Sequence, residues 1–261
     1  MSEQTTLTAD SGSGMKILNR NALKYLVIVA MVIDHVAWAF PDQLGSTLTG
    51  IMHFIGRLTG PTMAFFLAEG YKYTSNKKKY QERLGIFALI SWLPFFLFEA
   101  SPNILSHLPM LMLQSVIYTL FLGITAIMVC DNPNYPKSKK ILAVAGLCIL
   151  SMIGDWPVMD VLGPLFLYVY RNNKPKRYIS VGLVYGLFNS LLFLSPSEDG
   201  GMFFDLAGKW YNFGVLLVPV IIWLFYNGKG GKKNAFNKWF FYIFYPAHLV
   251  VLGILKMIIL K

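Results

Sequence analysis

The segment 22–40, ALKYLVIVAMVIDHVAWAF, decides the class of this protein. It is almost entirely apolar, yet it carries an aspartate and a histidine, Asp34 and His35, in its second half. A helix needs about 20 consecutive apolar residues to cross the hydrocarbon core of a bilayer. Ionisable side chains inside such a helix are costly, and they tend to be functional. The segment therefore predicts a membrane-spanning helix that carries part of a functional site.

Apolar segments of this kind recur along the chain. They lie at 49–69, 84–98, 108–130, 141–154, 158–170, 178–194, 210–226 and 239–260. They lack the alternation of a barrel strand, and a helix satisfies its own backbone hydrogen bonds in lipid. The sequence therefore predicts an all-α fold, a polytopic transmembrane bundle of about nine spans. The segments 141–154 and 158–170 are short for full crossings, so this pair is either two spans or a re-entrant hairpin.

The composition leaves little room for a separate soluble domain. Of the 261 residues, 55% are apolar and 14% are charged, whereas a soluble domain carries about a quarter charged residues. We expect residues 15–261 to form a single transmembrane domain. Residues 1–14 are polar and contain the run Ser11-Gly12-Ser13-Gly14. We expect a disordered tail there, either native or an added linker.

Basic residues concentrate in alternate connecting segments. The clusters lie at 16–24, 72–83, 137–140, 171–177 and 229–238. Lys and Arg favour cytoplasmic loops, so the pattern predicts an odd number of membrane spans. The N-terminus is expected inside and the C-terminus outside. The same bias accounts for the net charge of +10, and we expect no nucleic-acid partner.

Several predicted spans carry ionisable side chains. These are Asp34 and His35 in the first span, His53, Arg57 and Glu69 in the second, and His248 in the last. At about 1.5 Å per residue, His35, Arg57 and His248 reach a similar depth. We therefore expect the candidate catalytic residues to face one buried, hydrated cavity. They are Asp34, His35, Arg57 and His248.

Simpler structural roles also fit some of these positions. Asp34 is expected to neutralise Arg57, because an unpaired charge in lipid costs several kcal/mol. His53 is expected at the end of its span, where it would face the outer headgroups. The spacing Gly56-x-x-x-Gly60 predicts close helix packing.

The predicted cytoplasmic end is basic. Lys24 and His35 are eleven residues apart, which returns them to one helix face about 16 Å apart along the axis. This arrangement suits an anionic donor whose reactive end reaches inward. Glu69 either belongs to this site or pairs with Lys72 or Arg83. The loop cations able to attract phosphates are Lys77, Lys78, Lys79 and Arg83, although the positive-inside bias also explains most of them.

Short segments spread over the chain resemble one known family. They are Leu23-Lys24, Ile33-Asp34-His35, Ile55-Gly56-Arg57-Leu58, Pro61, Leu67-Ala68-Glu69-Gly70-Tyr71, Arg83-Leu84, Phe87-Ala88-Leu89-Ile90-Ser91, Tyr226-Asn227-Gly228-Lys229 and Phe244-Tyr245-Pro246-Ala247-His248-Leu249. Together they are similar to the TraX family, which is named for a pilin N-terminal acetylation protein. The resemblance covers most of residues 15–255.

The resemblance implies an enzyme. The TraX family is grouped with larger membrane acyltransferases that use cytoplasmic acyl-CoA. These relatives commonly have a basic residue, ten further residues and a histidine in the first span. Lys24 and His35 match that pattern, with Lys in place of the more usual Arg. The middle of the chain, roughly 100–210, departs more, and Gln114-Ser115 stands where an asparagine is expected.

Acetyl transfer from acetyl-CoA, as co-substrate and without a metal, is the reaction that follows from this resemblance. His35 is the expected general base, with Asp34 as its electrostatic partner, and a transient acyl-histidine is the variant. Arg57 or His248 is expected to stabilise the thioester oxyanion. The expected acyl-CoA-binding residues are Lys24, Glu69, Lys77, Lys78, Lys79, Arg83 and Tyr245.

The acceptor stays open, and two other classes of protein fit the same residues. A pilin-like or secreted peptide amine, a cell-surface glycan hydroxyl and a lipid headgroup are all compatible acceptors. A proton-coupled transporter or flippase would also use intramembrane Asp, His and Arg, although the internal repeat of many transporters is not apparent. The third class is an assembly factor for pili or secreted peptides that has no catalytic activity.

Overall fold

The computed structural model describes residues 16–196, 201–232 and 234–260, so the predicted tail at 1–14 lies outside the described residues. The described chain is mostly helical, and the predicted all-α class is confirmed. Its α-helices are α1 Arg20–Ala39, α2 Pro41–Leu44, α3 Ser46–Gly56, α4 Thr59–Tyr73, α5 Lys77–Ala100, α6 Val116–Asp131, α7 Lys137–Leu150, α8 Met159–Val169, α9 Lys174–Ser190, α10 Leu217–Phe225 and α11 Ala235–Ile259.

Within the described ranges, three helices are long and apolar enough to cross a membrane: α1, α5 and α11. Each is preceded by an asparagine, Asn19, Asn76 or Asn234, whose side chain accepts a hydrogen bond from the first turn. Such caps satisfy backbone donors that have no partner within the helix. The other predicted spans correspond to shorter helices, so the structure does not confirm the count of nine.

The second predicted span, 49–69, is two helices. α3 ends at Gly56 and α4 begins at Thr59, with Arg57 and Leu58 between them. Both halves are apolar, and composition alone therefore merges them into one segment. The break places Arg57 at a helix junction, which changes its neighbours from those expected for a mid-helix residue.

The segment between α9 and α10 contains a small hairpin that the sequence did not predict. Strand β1, Leu194–Pro196, pairs in antiparallel fashion with β2, Met202–Phe204. A 3₁₀ helix, Trp210–Leu216, then packs on α3. The Trp210 ring lies where a Cβ on Gly50 would come within 3.2 Å of it. The glycine therefore permits this close approach.

α1, α5 and α11 run in the same direction. Near their starts, Tyr25 of α1 donates a 2.5 Å hydrogen bond to Asn237 of α11. Further along, the His35 ring of α1 lies 5.3 Å from that of Phe98 in α5 and 4.9 Å from that of His248 in α11. The three long helices therefore present residues of equal depth to one another.

The apolar core lies around α4, α6 and α8, where Phe65, Ile124 and Leu167 are almost completely buried. By contrast, α7 has no buried side chain among its described residues and lies at the periphery. The core helices form the wall against which the long helices pack.

The segment before α1 is joined to the segment after α10. The Leu18 amide donates to Phe225 O at 3.0 Å, and the Asn227 amide donates to Leu18 O at 3.0 Å. The Arg20 amide donates to Lys229 O at 2.8 Å. These bonds fix the start of α1, and with it the depth of the polar residues that α1 carries.

Candidate functional site

A cavity of about 570 Å³ lies between the long helices, α4, the start of α6 and the turn before α8. Six of the residues singled out from the sequence line it: Lys24, Asp34, His35, Arg57, Arg83 and Tyr245. The structure therefore brings together, around one cavity, residues that are far apart in the sequence. Glu69, His248 and the lysines 77–79 do not line it.

The cavity has a basic end and an acidic end. The basic end is formed by Lys24, Arg83 and Lys238, and the acidic end by Asp34, Glu99 and Asp155. Arg83 and Glu99 both belong to α5, and their separation corresponds to about 24 Å along the helix axis. No carboxylate among the described residues lines the basic end. The cavity is therefore a polarised passage rather than a uniformly polar pocket.

His35 lies between the two ends, and its Nε2 has no hydrogen-bond partner among the described residues. Its Nδ1 is 2.8 Å from Met31 O, and a carbonyl oxygen can only accept, so Nδ1 carries the proton. In the neutral ring Nε2 is then an acceptor with a lone pair. The ring packs edge-on against Phe98 at 5.3 Å and against Tyr245 at 6.4 Å. The imidazole is therefore held in the tautomer that a general base requires.

His248 packs against the His35 ring and does not line the cavity. Its ring centroid lies 4.9 Å from that of His35, and it stacks on Phe244 at 5.4 Å. Its Nδ1 donates to Phe244 O at 3.1 Å, and its buried Nε2 has no hydrogen-bond partner among the described residues. The structure thus places His248 level with His35, and its contact is with the His35 ring and not with the cavity.

Asp34 pairs with His53, not with Arg57 as the sequence predicted. His53 Nδ1 lies 2.7 Å from Asp34 Oδ1. The expectation that His53 faces the outer headgroups is also wrong, since only 4% of the residue is exposed. The ring is enclosed by Trp38 at 4.4 Å and Tyr211 at 5.1 Å. The break before α4 explains the correction, because it directs Arg57 elsewhere.

Arg57 lies between two aromatic rings at the acidic end. Its guanidinium carbon is 5.5 Å from the Trp156 ring centroid and 5.3 Å from that of Tyr211. Its buried Nε makes no hydrogen bond within the described residues. Asp155 is close enough to interact with it electrostatically. Arginine stacked in this way is oriented while its hydrogen-bonding edge stays available to a ligand.

The turn that carries Asp155 has an uncommon backbone. Trp156 and Val158 adopt φ values of 54° and 62°, in the left-handed region that non-glycine residues rarely occupy. The Asp155 amide donates to Gln114 O at 2.9 Å, which attaches the turn to the start of α6. Gly60 admits the Trp156 ring, which would lie 2.9 Å from a Cβ at that position. Strain of this kind persists where surrounding contacts fix it, and it is concentrated at functional sites.

Sequence reasoning did not include Glu99 and Asp155 among the site residues, yet both line the cavity. Glu99 lies in the last turn of α5 and is near Lys256, whose Nζ donates to Phe98 O at 2.8 Å. A signal was available, because Glu99 and Arg83 both occur on α5 at its opposite ends. The packing of the 151–158 turn against the start of α6 could not be predicted from the sequence.

The cations of the basic end rest on aromatic rings. Lys24 Nζ lies 5.0 Å from the Phe241 ring centroid, and Arg83 lies 5.6 Å from that of Tyr80. Lys238, which sequence reasoning missed, is exposed at the mouth. Its position three and seven residues before Phe241 and Tyr245 on α11 places it on their helix face and could have revealed it.

Glu69 stabilises the structure next to the basic end. It accepts hydrogen bonds from Arg20 Nε at 2.9 Å and from the Tyr226 hydroxyl at 2.6 Å. The pairing with Lys72 or Arg83 considered from the sequence is therefore wrong. Glu69 joins α4 to α1 and to the segment after α10, and it does not line the cavity.

The loop lysines predicted to attract phosphates lie outside the cavity. Lys77 Nζ is 2.6 Å from Asp131 Oδ2, and Lys78 is 4.0 Å from Glu82 one helical turn away. Lys79 does not line the cavity either. The contacts of Lys77 and Lys78 are those of a solvated helix start, which agrees with the simpler explanation by positive-inside bias.

Tyr245 lines the cavity from α11, and only 4% of it is exposed. Its hydroxyl approaches Ser115 and the Val116 amide at the start of α6 without a well-formed hydrogen bond. It separates His35 from the α6 terminus. Across the described part of the chain, no group of three or more His, Cys, Asp or Glu side chains is placed to hold a metal ion.

These features define a class: a helical protein with helices able to cross a membrane, built around a polarised cavity that contains a free imidazole nitrogen. The chain belongs to the TraX family, since the family described as TraX protein matches residues 19–256. The probable fimbrial assembly protein FimC, serogroup H1, of Dichelobacter nodosus is 31% identical over 238 residues, which cover 90% of this chain and 94% of that relative. No solved structure matches the chain.

Proposed function

We propose that this protein is a membrane acetyltransferase that moves an acetyl group from cytoplasmic acetyl-CoA to an amine of an exported or membrane-proximal peptide. The observation that carries the proposal is the free Nε2 of His35 in a cavity with a basic end and an acidic end. A donor with phosphates and an acceptor with an ammonium group would enter such a cavity from opposite ends.

The basic end supports an anionic donor. Lys24, Arg83 and Lys238 line it without a carboxylate among the described residues. Glu69 interacts with Lys24 from outside the cavity, but its own hydrogen bonds are to Arg20 and Tyr226. A cluster of cations of this kind attracts phosphates. Lys24 and His35 lie about 16 Å apart along α1. A donor bound by its phosphates near Lys24 would therefore extend its thioester toward His35. Phe241 and Tyr242 line the passage between them.

The chemistry assigns one proton transfer to His35. The ammonium of the acceptor first gives one proton to a carboxylate of the acidic end, which leaves the nitrogen with a lone pair. This nitrogen attacks the thioester carbon, a C–N bond forms, and His35 Nε2 takes a second proton from nitrogen. The C–S bond then breaks, and the imidazolium returns that proton to the sulfur of the leaving CoA. Arg57 would stabilise the oxyanion from the acidic side, in a cavity where such contacts are strong. The variant in which His35 itself is acetylated uses the same nitrogen.

The acidic end favours an amine over a hydroxyl as acceptor. Asp34, Glu99 and Asp155 bring three carboxylates to it, and Arg57 and Lys256 offset two of these charges. Carboxylates attract a protonated amine and have no comparable effect on a neutral hydroxyl. The fimbrial description of the Dichelobacter nodosus relative is compatible with a peptide acceptor.

The orientation follows from the charges of the loops. We place the basic end at the cytoplasmic face of a bacterial inner membrane, because Lys and Arg remain on that side. The multi-pass arrangement of about nine crossings, with the C-terminus outside, is part of this proposal. The acidic end would then face the exported acceptor.

The test is acetyl transfer by the purified protein in liposomes. Radiolabelled acetyl-CoA is supplied with a short synthetic peptide that has a free N-terminus, and its N-acetylated twin serves as blank. Wild-type protein should label the free peptide, and His35→Gln should lower the rate by about 10²–10⁴-fold. The matched control is His107→Gln, because His107 lies outside the cavity. No transfer to this peptide or to a glycan hydroxyl would reject the enzyme, and proton-coupled uptake into the vesicles would favour the transporter.

A further inference from the structure

The Asp34–His53 pair is a buried contact that the proposed reaction has not used. His53 comes from α3, is 4% exposed and donates from Nδ1 to Asp34 Oδ1 at 2.7 Å. Asp34 lines the cavity next to His35 in the sequence. Among the described residues, Asp34 makes no other side-chain hydrogen bond. One carboxylate oxygen is therefore fixed and the other is available.

Gly56 completes the enclosure of Asp34. It lies on α3 one turn after His53, and a Cβ at this position would collide with the Asp34 side chain. The Gly56-x-x-x-Gly60 spacing thus has two separate uses. Gly56 admits the Asp34 carboxylate, and Gly60 admits the Trp156 ring. Gly56 thus permits the close approach of α3 to α1 that this spacing predicted, whereas Gly60 contacts the turn before α8.

The His53 ring is itself fixed. Trp38 and Tyr211 lie on it at 4.4 Å and 5.1 Å between ring centroids, and Tyr211 also carries the Arg57 guanidinium at 5.3 Å. A rotation of the His53 ring would therefore disturb both neighbours. A carboxylate held by an oriented, charge-assisted hydrogen bond keeps one position, which is the condition for placing a reacting group.

We propose that His53 is a positioning residue that holds Asp34 by Oδ1, so that Oδ2 receives the ammonium of the acceptor beside His35. This inference rests on the proposed acetyl transfer and extends it to a named acceptor contact. Asp34 touches the acceptor, whereas His53 and Gly56 act through Asp34. Because the contact is made with the acceptor and not with the donor, changes at His53 should alter the KM for the peptide and leave the KM for acetyl-CoA unchanged.

The first experiment replaces His53 by Asn or by Gln in the full-length protein in liposomes. The amide nitrogen of each replacement stands in for one of the two imidazole nitrogens. The amide nitrogen of Asn can replace Nδ1 as donor to Asp34, whereas that of Gln corresponds more closely to Nε2. His53→Gln should raise the KM for the free-amine peptide by about ten-fold or more, with the KM for acetyl-CoA unchanged. His53→Asn should stay within about three-fold of wild type. Equal losses in both variants, or a raised KM for acetyl-CoA, would overturn the proposal.

The second experiment does not alter His53. Gly56→Ala should displace Asp34 and reproduce the raised KM for the peptide, and it decides the question if the His53 variants do not fold. Gly146→Ala is the control, because a Cβ there meets nothing within 4 Å. An unchanged KM for the peptide in Gly56→Ala would contradict the proposal. A failure of the parent reaction is distinguished by His35→Gln, whose full activity would reject the base and not the role of His53.

Discussion

The two ends of the cavity are built by different means. At the basic end, Lys24 and Arg83 rest on aromatic rings, and Lys238 is exposed. At the acidic end, a hydrogen bond fixes Asp34 and two rings enclose Arg57. Long cationic side chains on rings can follow a flexible, multiply charged ligand. Fixed groups are needed where reacting atoms must be placed, so the contrast agrees with binding at one end and chemistry near the other.

Of the changes that compare the two ends, reversal of the charge at the basic end should have the largest effect on a KM. Lys24→Glu should raise the KM for acetyl-CoA by roughly 30-fold or more, because the proposed contact of this half-buried side chain with a phosphate would become repulsive. The KM for the peptide should change little. Steady-state kinetics in liposomes measure both values. Lys139→Glu is the charge-matched control outside the cavity, and an equal effect there would mean that only the loop charge matters.

Neutralising the acidic end should act on the other substrate. Glu99→Gln and Asp155→Asn should each raise the KM for the free-amine peptide by about ten-fold, because one carboxylate contact to the ammonium is removed. The KM for acetyl-CoA should stay constant. Steady-state kinetics with the free-amine peptide and with a glycan hydroxyl as acceptor show whether the acidic end selects the amine by its charge. If the hydroxyl acceptor were affected as strongly as the amine, the acidic end would not select by charge.

Glu69 should affect stability more than binding. Glu69→Gln removes the charged acceptor of Arg20 and Tyr226 and should lower the free energy of unfolding by about 1–3 kcal/mol. Thermal unfolding in detergent, followed by loss of helical circular dichroism, measures the change. The KM for acetyl-CoA at a temperature where the variant is folded should remain near the wild-type value. A large rise in this KM with unchanged stability would return Glu69 to the binding site.

The smallest effect is expected at Lys78. Its side chain forms a surface pair with Glu82 at 4.0 Å, and such pairs contribute at most about 1 kcal/mol. Lys78→Ala should leave the KM for acetyl-CoA within about two-fold of wild type. The result shows whether acetyl-CoA binding depends on the basic end alone or also on basic residues outside the cavity. A strong effect would extend the donor site over the first turn of α5, residues 77–79.

Much of the site was predictable because α1 is one regular helix. A fixed rise and rotation place Lys24 and His35 on one face, and both line the cavity as predicted. The depth of His248 followed in the same way from α11, and its ring does meet His35. The roles assigned to these residues stay predictions.

The errors arose where the chain leaves a regular helix. The break at Arg57 and Leu58 divides a predicted span, and neither the Asp34–His53 pair nor the stacking of Arg57 could be derived without it. Asp155 reaches the cavity through a turn with two residues of positive φ. Short-range pattern carries no information on such turns, because their geometry is imposed by the parts that pack around them.

The sequence by itself determined that this is an apolar, helical protein of the TraX type with ionisable groups inside its longest helices. Only the tertiary structure decided which partners those groups have. Helical periodicity is local, so it can be read from residue spacing. The partner of a buried charge depends on which helices meet and where they break, and in this chain those contacts placed His53, and not Arg57, on Asp34.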